Sequence, residues 1–162
     1  MTSFFVWLES TPLAVAIAES RWMFPTFEVL HVFGLALVVG SIAAFDLRTL
    51  GLAWPSRRLE TLVREILPWT WSGFVLAVVT GLLLFLSSAA TYIENRVFLA
   101  KMALLLLAGL NVLLFHFHPH HHRFTVEGQV SPVLRASAAV SLTLWTAIVV
   151  LGRWIGYSLT VG

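Results

Sequence analysis

The chain has 162 residues, of which 59% are hydrophobic and 11% charged, with a formal net charge of +2 and no cysteine. Soluble domains are about half apolar and about a quarter charged, so this composition excludes an ordinary globular protein and indicates an integral membrane protein. Disulfides and thiolate metal sites are excluded, no nucleic-acid partner is expected from so small a positive excess, and His, Met and carboxylates remain as candidate metal ligands.

Thr11-Pro12 marks a helix start, followed by residues 13–19, a stretch too short to span a bilayer. It is expected to form a short interfacial helix, with Trp7 and Trp22 at headgroup level. The first Lys or Arg is Arg21, so residues 1–20 lack the positive start of a cleavable signal peptide. Four segments then carry the run of about 20 apolar residues that a transmembrane helix needs. They are residues 24–46, 69–89, 97–117 and 133–157. Pro68 is expected to open the second and Pro132 the fourth. The expected fold is one all-α domain, an up-down four-helix transmembrane bundle with a short N-terminal interfacial helix.

Lys and Arg residues set the orientation. The first and third connections hold Arg48, Arg57, Arg58, Arg64, Arg123 and Arg135, against Arg21, Arg96, Lys101 and Arg153 on the opposite side. A multi-pass protein of the bacterial inner membrane is expected, with both termini in the periplasm.

Ionisable groups at membrane depth are costly and tend to mark function. His31 interrupts an otherwise apolar first span, with Glu28 one turn before it on the same face. Lys101 enters the third span from the same side, and Arg153 lies near the matching end of the fourth, in a stripe with Thr146 and Tyr157. Three helices thus bring His31, Glu28, Lys101, Arg153 and Tyr157 to one outer layer, the candidate cofactor site. Asp46 and Arg48, Asn111 and His116, and Trp71 and Ser72 at the start of the second span form a second layer near the inner surface. Asp46 lies about 27 Å beyond Glu28 at 1.5 Å per residue, and His116 is correspondingly far from His31, so the two histidines are not expected to clamp one haem. Plainer roles stand beside these. Lys101 and Arg153 can snorkel to the headgroups, His31 can be a structural histidine bonded to Glu28 or to a helix carbonyl, Asp46 can pair with Arg48 at a helix end, and Asn111 can join helices.

The third span ends in His116-Phe117-His118-Pro119-His120-His121-His122. Imidazoles at this density suit zinc, copper or nickel, although Pro119 breaks the helical spacing of a preformed site. In the second span Gly73, Ala77, Gly81 and Ser88 mark a small-residue stripe, and Ser137, Ser141 and Gly152 repeat the idea in the fourth. Such stripes let backbones approach closely, or leave room for a flat cofactor.

The blocks FPTFEVLHVFGLALVVGSIAAFDLRTLG (24–51), FLAKMALLLLAGLNVLLFH (98–116) and GRWIGY (152–157) resemble a bacterial family of four-helix membrane proteins of unknown function. More distantly, a first-helix histidine, an Arg at that helix's end and a third-helix Lys followed by an apolar run ending in His are similar to HemJ-type and CopD-type membrane proteins. The first are protoporphyrinogen oxidases that bind haem b and the second are linked to copper uptake. On the HemJ resemblance, His31 matches the helix-one histidine and Lys101 the helix-three lysine. This chain departs from that pattern in carrying Asp46-Leu47-Arg48 where Leu-Pro-Arg is the family's form.

Three readings follow. The first is a haem b-binding protein in which His31 ligates iron, Glu28 fixes its tautomer and Arg153 or Lys101 holds a propionate, with a quinone or a periplasmic redox partner exchanging electrons. The second is copper or other metal binding and transport through His31, Glu28, Met23, Met102 and the histidine tract. The third is a scaffold or complex subunit, including a homo-oligomer, whose polar layers hold helices together.

Overall fold

The structure, a computed structural model, describes residues 2–117, 125–126 and 129–161, with side chains over 3–113 and 130–157. Its helices are α1 (Thr2–Glu9), α2 (Pro12–Glu19), α3 (Met23–Leu50), α4 (Leu59–Leu86), α5 (Ala89–Glu94), α6 (Arg96–Phe117) and α7 (Pro132–Val161). In the connection before α7, the two-residue strands β1 (Thr125–Val126) and β2 (Gln129–Val130) pair antiparallel. Four helices, α3, α4, α6 and α7, are long and apolar enough to cross a membrane. Helices suit such segments because each satisfies its own backbone hydrogen bonds where lipid offers none.

The element boundaries follow local chemistry. Gly51 ends α3 in the left-handed region at φ 80°, and Leu52 N–H returns to the Leu47 carbonyl at 2.9 Å. Asn95 Oδ1 caps α6 by accepting from the N–H groups of Val97 (2.8 Å) and Phe98 (3.2 Å). Ser131 caps α7, accepting from Leu134 N–H at 3.2 Å, with Pro132 in the first helical position as expected.

Three sequence expectations are corrected. The N-terminal segment forms two short helices, α1 and α2, where one was expected; Ser10 and Thr11 break them by bonding back to the carbonyls of Trp7 and Leu8. Pro68 lies inside α4 and does not open it. Its missing N–H leaves the Arg64 carbonyl without a helical partner, but Leu59 and Leu62 are buried and hold the earlier turns onto the bundle. Finally, Arg48 makes no ion pair with Asp46. Arg48 Nε donates instead to the Arg57 carbonyl at 2.7 Å, and Arg57 pairs with Glu65 at 2.8 Å, which closes the α3–α4 loop.

Packing runs in the order α4, α3, α7, α6. The closest approach is between α3 and α4, where Gly34 and Gly73 put backbone against backbone. A Cβ on Gly34 would meet Ala77 N at 2.7 Å, and one on Gly73 would meet Gly34 O at 2.8 Å. Contacts of Gly34 with Ala77 and of Ser41 with Thr70 show that the two helices run antiparallel. On α6 and α7, Asn111 Nδ2 donates to the Ser137 carbonyl and Ser137 Oγ to Asn111 Oδ1, both at 3.2 Å. Asn111 is thus a helix-joining residue.

At the other end of the bundle α1 and α2 fold over α3, α4 and α5. Glu9 accepts from the Ala90 N–H at 2.9 Å, Ala14 and Ile17 are buried, and Phe5, Phe85, Tyr92 and Phe98 fill the space between.

Candidate polar site at His31

The small-residue stripe of α4 is the seat of His31. Gly73, Ala77 and Gly81 recur every four residues and so face one direction, toward α3. The His31 ring lies on Gly81: a Cβ there would come within 2.9 Å of Cε1 and 3.3 Å of Nδ1. Nδ1 is 2.8 Å from the Ala77 carbonyl oxygen and 3.2 Å from Thr80 Oγ1. Because a carbonyl only accepts, Nδ1 carries the proton. The Thr80 hydroxyl spends its own proton on the Leu76 carbonyl at 2.6 Å and presents lone pairs to Nδ1. The neutral ring therefore has Nε2 as a free lone pair, the arrangement of an imidazole ligand whose tautomer is fixed by its surroundings.

Lys101 carries a charge that reaches His31. It is half-buried on α6, and its ammonium lies over Gly152 of α7, where a Cβ would stand 3.5 Å from Nζ. No hydrogen bond or ion pair from the described residues satisfies it. Two ionisable side chains from different helices are thus each laid over a glycine of a third and a fourth.

The remaining residues of the expected outer layer are exposed. Glu28 is exposed and does not hold the His31 ring, since Ala77 and Thr80 occupy the Nδ1 side. It faces Tyr92 instead: burial, with the Glu28 carboxylate adding to it, pushes the Tyr92 phenol above its usual range. Arg153 and Tyr157 are exposed on α7, with Tyr157 62% exposed and set edge-on to Trp154. Among the described residues no three His, Cys, Asp or Glu side chains converge as a metal cage. His118, His120, His121 and His122 lie outside the described residues, as does the side chain of His116.

Sequence reasoning missed Gly81, Ala77 and Gly152 as parts of this site. The four-residue spacing pointed to something approaching closely, without saying what.

Four membrane-length helices carrying a seated histidine and a lysine without a counter-charge among the described residues define an all-α multi-pass membrane protein with an internal polar site. Residues 4–158 match the model described as Family of unknown function (DUF6644), and the chain belongs to that family. No curated protein and no solved structure matches, so the HemJ-type and CopD-type resemblance gains no support from these comparisons.

Proposed function

We infer that this chain is a haem b-binding protein of a bacterial inner membrane, with His31 as an axial ligand. One observation carries the reading: the Nδ1–H of His31 is committed to the Ala77 carbonyl, which leaves Nε2 as a ligand. A haem needs one or two protein ligands, whereas a bare metal ion needs three or four, and no such group converges among the described residues. That difference favours haem over copper. Lys101, with no described counter-charge, is suited to hold a propionate.

Haem bound there would supply one-electron transfer. The chain's own contributions are a fixed imidazole and a cation whose charge reaches it. Quinol in the bilayer and a periplasmic acceptor are the partners that this depth suits. A scaffold role accounts for the Gly34–Gly73 crossing and the Asn111–Ser137 pair, but not for an unprotonated Nε2 together with an ammonium that has no counter-charge among the described residues.

The membrane placement behind this reading is up-down, with both termini periplasmic. Exposed Trp22 begins α3, and exposed Trp69 and Trp71 flank Thr70, which bonds Ser41. From Trp22 to Ser41 the helix rises about 28 Å, against a hydrocarbon core of about 30 Å. His31 then lies about 13 Å inside the outer boundary.

The test is an absorption spectrum of protein purified from haem-supplied cells. A Soret band that is lost in His31→Ala supports the reading. Protein that shows no Soret band after expression or reconstitution would falsify it. Because the chain has no cysteine, single cysteines at Ser3 and Ser56 report orientation by labelling from either side. Labelling of Ser3→Cys from the cytoplasmic side would reverse the topology.

A further inference from the structure

Asp46 is 3% exposed, and among the described residues its Oδ2 has no hydrogen-bond partner. Ser141 of α7 lies against the carboxyl from across the helix seam. The charged groups of the surrounding elements are turned elsewhere. On α3 itself Arg48 is committed to the Arg57 carbonyl. On α4, Glu60, Arg64 and Glu65 are exposed, with Glu65 paired to Arg57. On α7, Arg135 is exposed. The neighbouring polar groups are also spoken for: Thr49 donates to the Phe45 carbonyl, and Ser137 is engaged by Asn111.

A buried carboxylate without a counter-charge is expensive, and this one sits in the last turns of α3, where the helix dipole opposes negative charge. Neutralisation by a proton relieves both costs. Access is short: Asp46 is about 6 Å from the end of α3 at Leu50, and about 7 Å beyond the Ser41–Thr70 level toward the arginine-bearing loop. Water at that surface supplies and accepts the proton.

We propose that Asp46, buried between α3 and α7 with one carboxyl oxygen unpartnered, is a proton-binding site on the side of the protein opposite His31. The carboxylate takes one proton from the aqueous phase to become the acid, and returns it; no electron moves. The site stands about 22 Å along α3 from His31 and needs no bound cofactor. It therefore stands or falls independently of the haem reading.

Infrared difference spectra of the full-length protein in lipid, recorded between acidic and alkaline pH, test it directly. The expected result is a carboxylic C=O band that appears on acidification, moves to lower frequency in D2O and is lost in Asp46→Asn. If Asp46→Asn does not fold, Ser141→Ala carries the test, because removing the hydroxyl set against the carboxyl must move that band. Identical carboxyl bands in wild type and Asp46→Asn, or a band unmoved by Ser141→Ala, overturn the proposal.

Discussion

The ring of His31 rests on Gly81 so closely that a methyl group at Gly81 would come within 2.9 Å of Cε1. The ring is tied to Ala77 by its Nδ1–H and cannot swing aside without giving up that bond. Gly81→Ala is therefore expected to lower stability by about 1–3 kcal/mol, as overpacking does. Gly40→Ala, at an exposed position of the same bundle with nothing within 4 Å, is the control and should not lower it. Unfolding by SDS titration in mixed micelles measures both. Equal stabilities would mean that the ring does not occupy this seat.

The α3–α4 crossing should be less forgiving. Opposite Gly34 stand backbone atoms of Ala77 and Gly73, which cannot rotate away as a side chain can. Gly34→Ala and Gly73→Ala are each expected to cost about 3 kcal/mol, near the top of the overpacking range. They act on one contact, so the double variant should lose less than the two losses added together. The same titration reads this, and strict additivity would place the two glycines in separate contacts.

Asn111 and Ser137 exchange hydrogen bonds between α6 and α7. Asn111→Leu is expected to cost about 0.6 kcal/mol, the usual worth of such bonds in membranes. Thr146→Val is the contrast, since Thr146 bonds only to the Leu142 carbonyl of its own helix and is exposed. Its effect should fall within about 0.5 kcal/mol. A loss at Thr146 equal to that at Asn111 would argue against the interhelical pair.

Two charge substitutions separate what lies beside His31 from what does not. Lys101→Met should weaken retention of haem during purification, read as a reduced ratio of Soret to protein absorbance. Glu28→Gln should leave that ratio unchanged, because Glu28 faces Tyr92 and not the His31 ring. The reverse pattern would restore Glu28 as the partner of His31.

The membrane-length helices could be read from composition because twenty apolar residues in a row have few other fates. Pro132 was also readable, since Ser131 before it supplies the cap that a helix start requires. Pro68 misled for a physical reason: a proline rule describes one broken bond, while buried Leu59 and Leu62 decide where α4 begins. At the site, Glu28 and His31 share a face by spacing, but the imidazole found its acceptor in the Ala77 backbone. Every residue has a carbonyl, so no pattern of side chains announces which one will accept. Asp46 shows the same limit. Arg48 two residues away looked like its partner, whereas Ser141 is 95 positions further along the chain.

His31 belongs to the pair of helices locked by Gly34 and Gly73, and Lys101 to the pair tied by Asn111 and Ser137. The two pairs meet chiefly along α3 and α7. Neither half contains the site alone. A small slide or tilt at that one seam changes the spacing of imidazole and ammonium while both halves stay folded. The placing of His31 relative to Lys101 is therefore set by the packing of α3 on α7 and by neither glycine crossing nor polar pair alone.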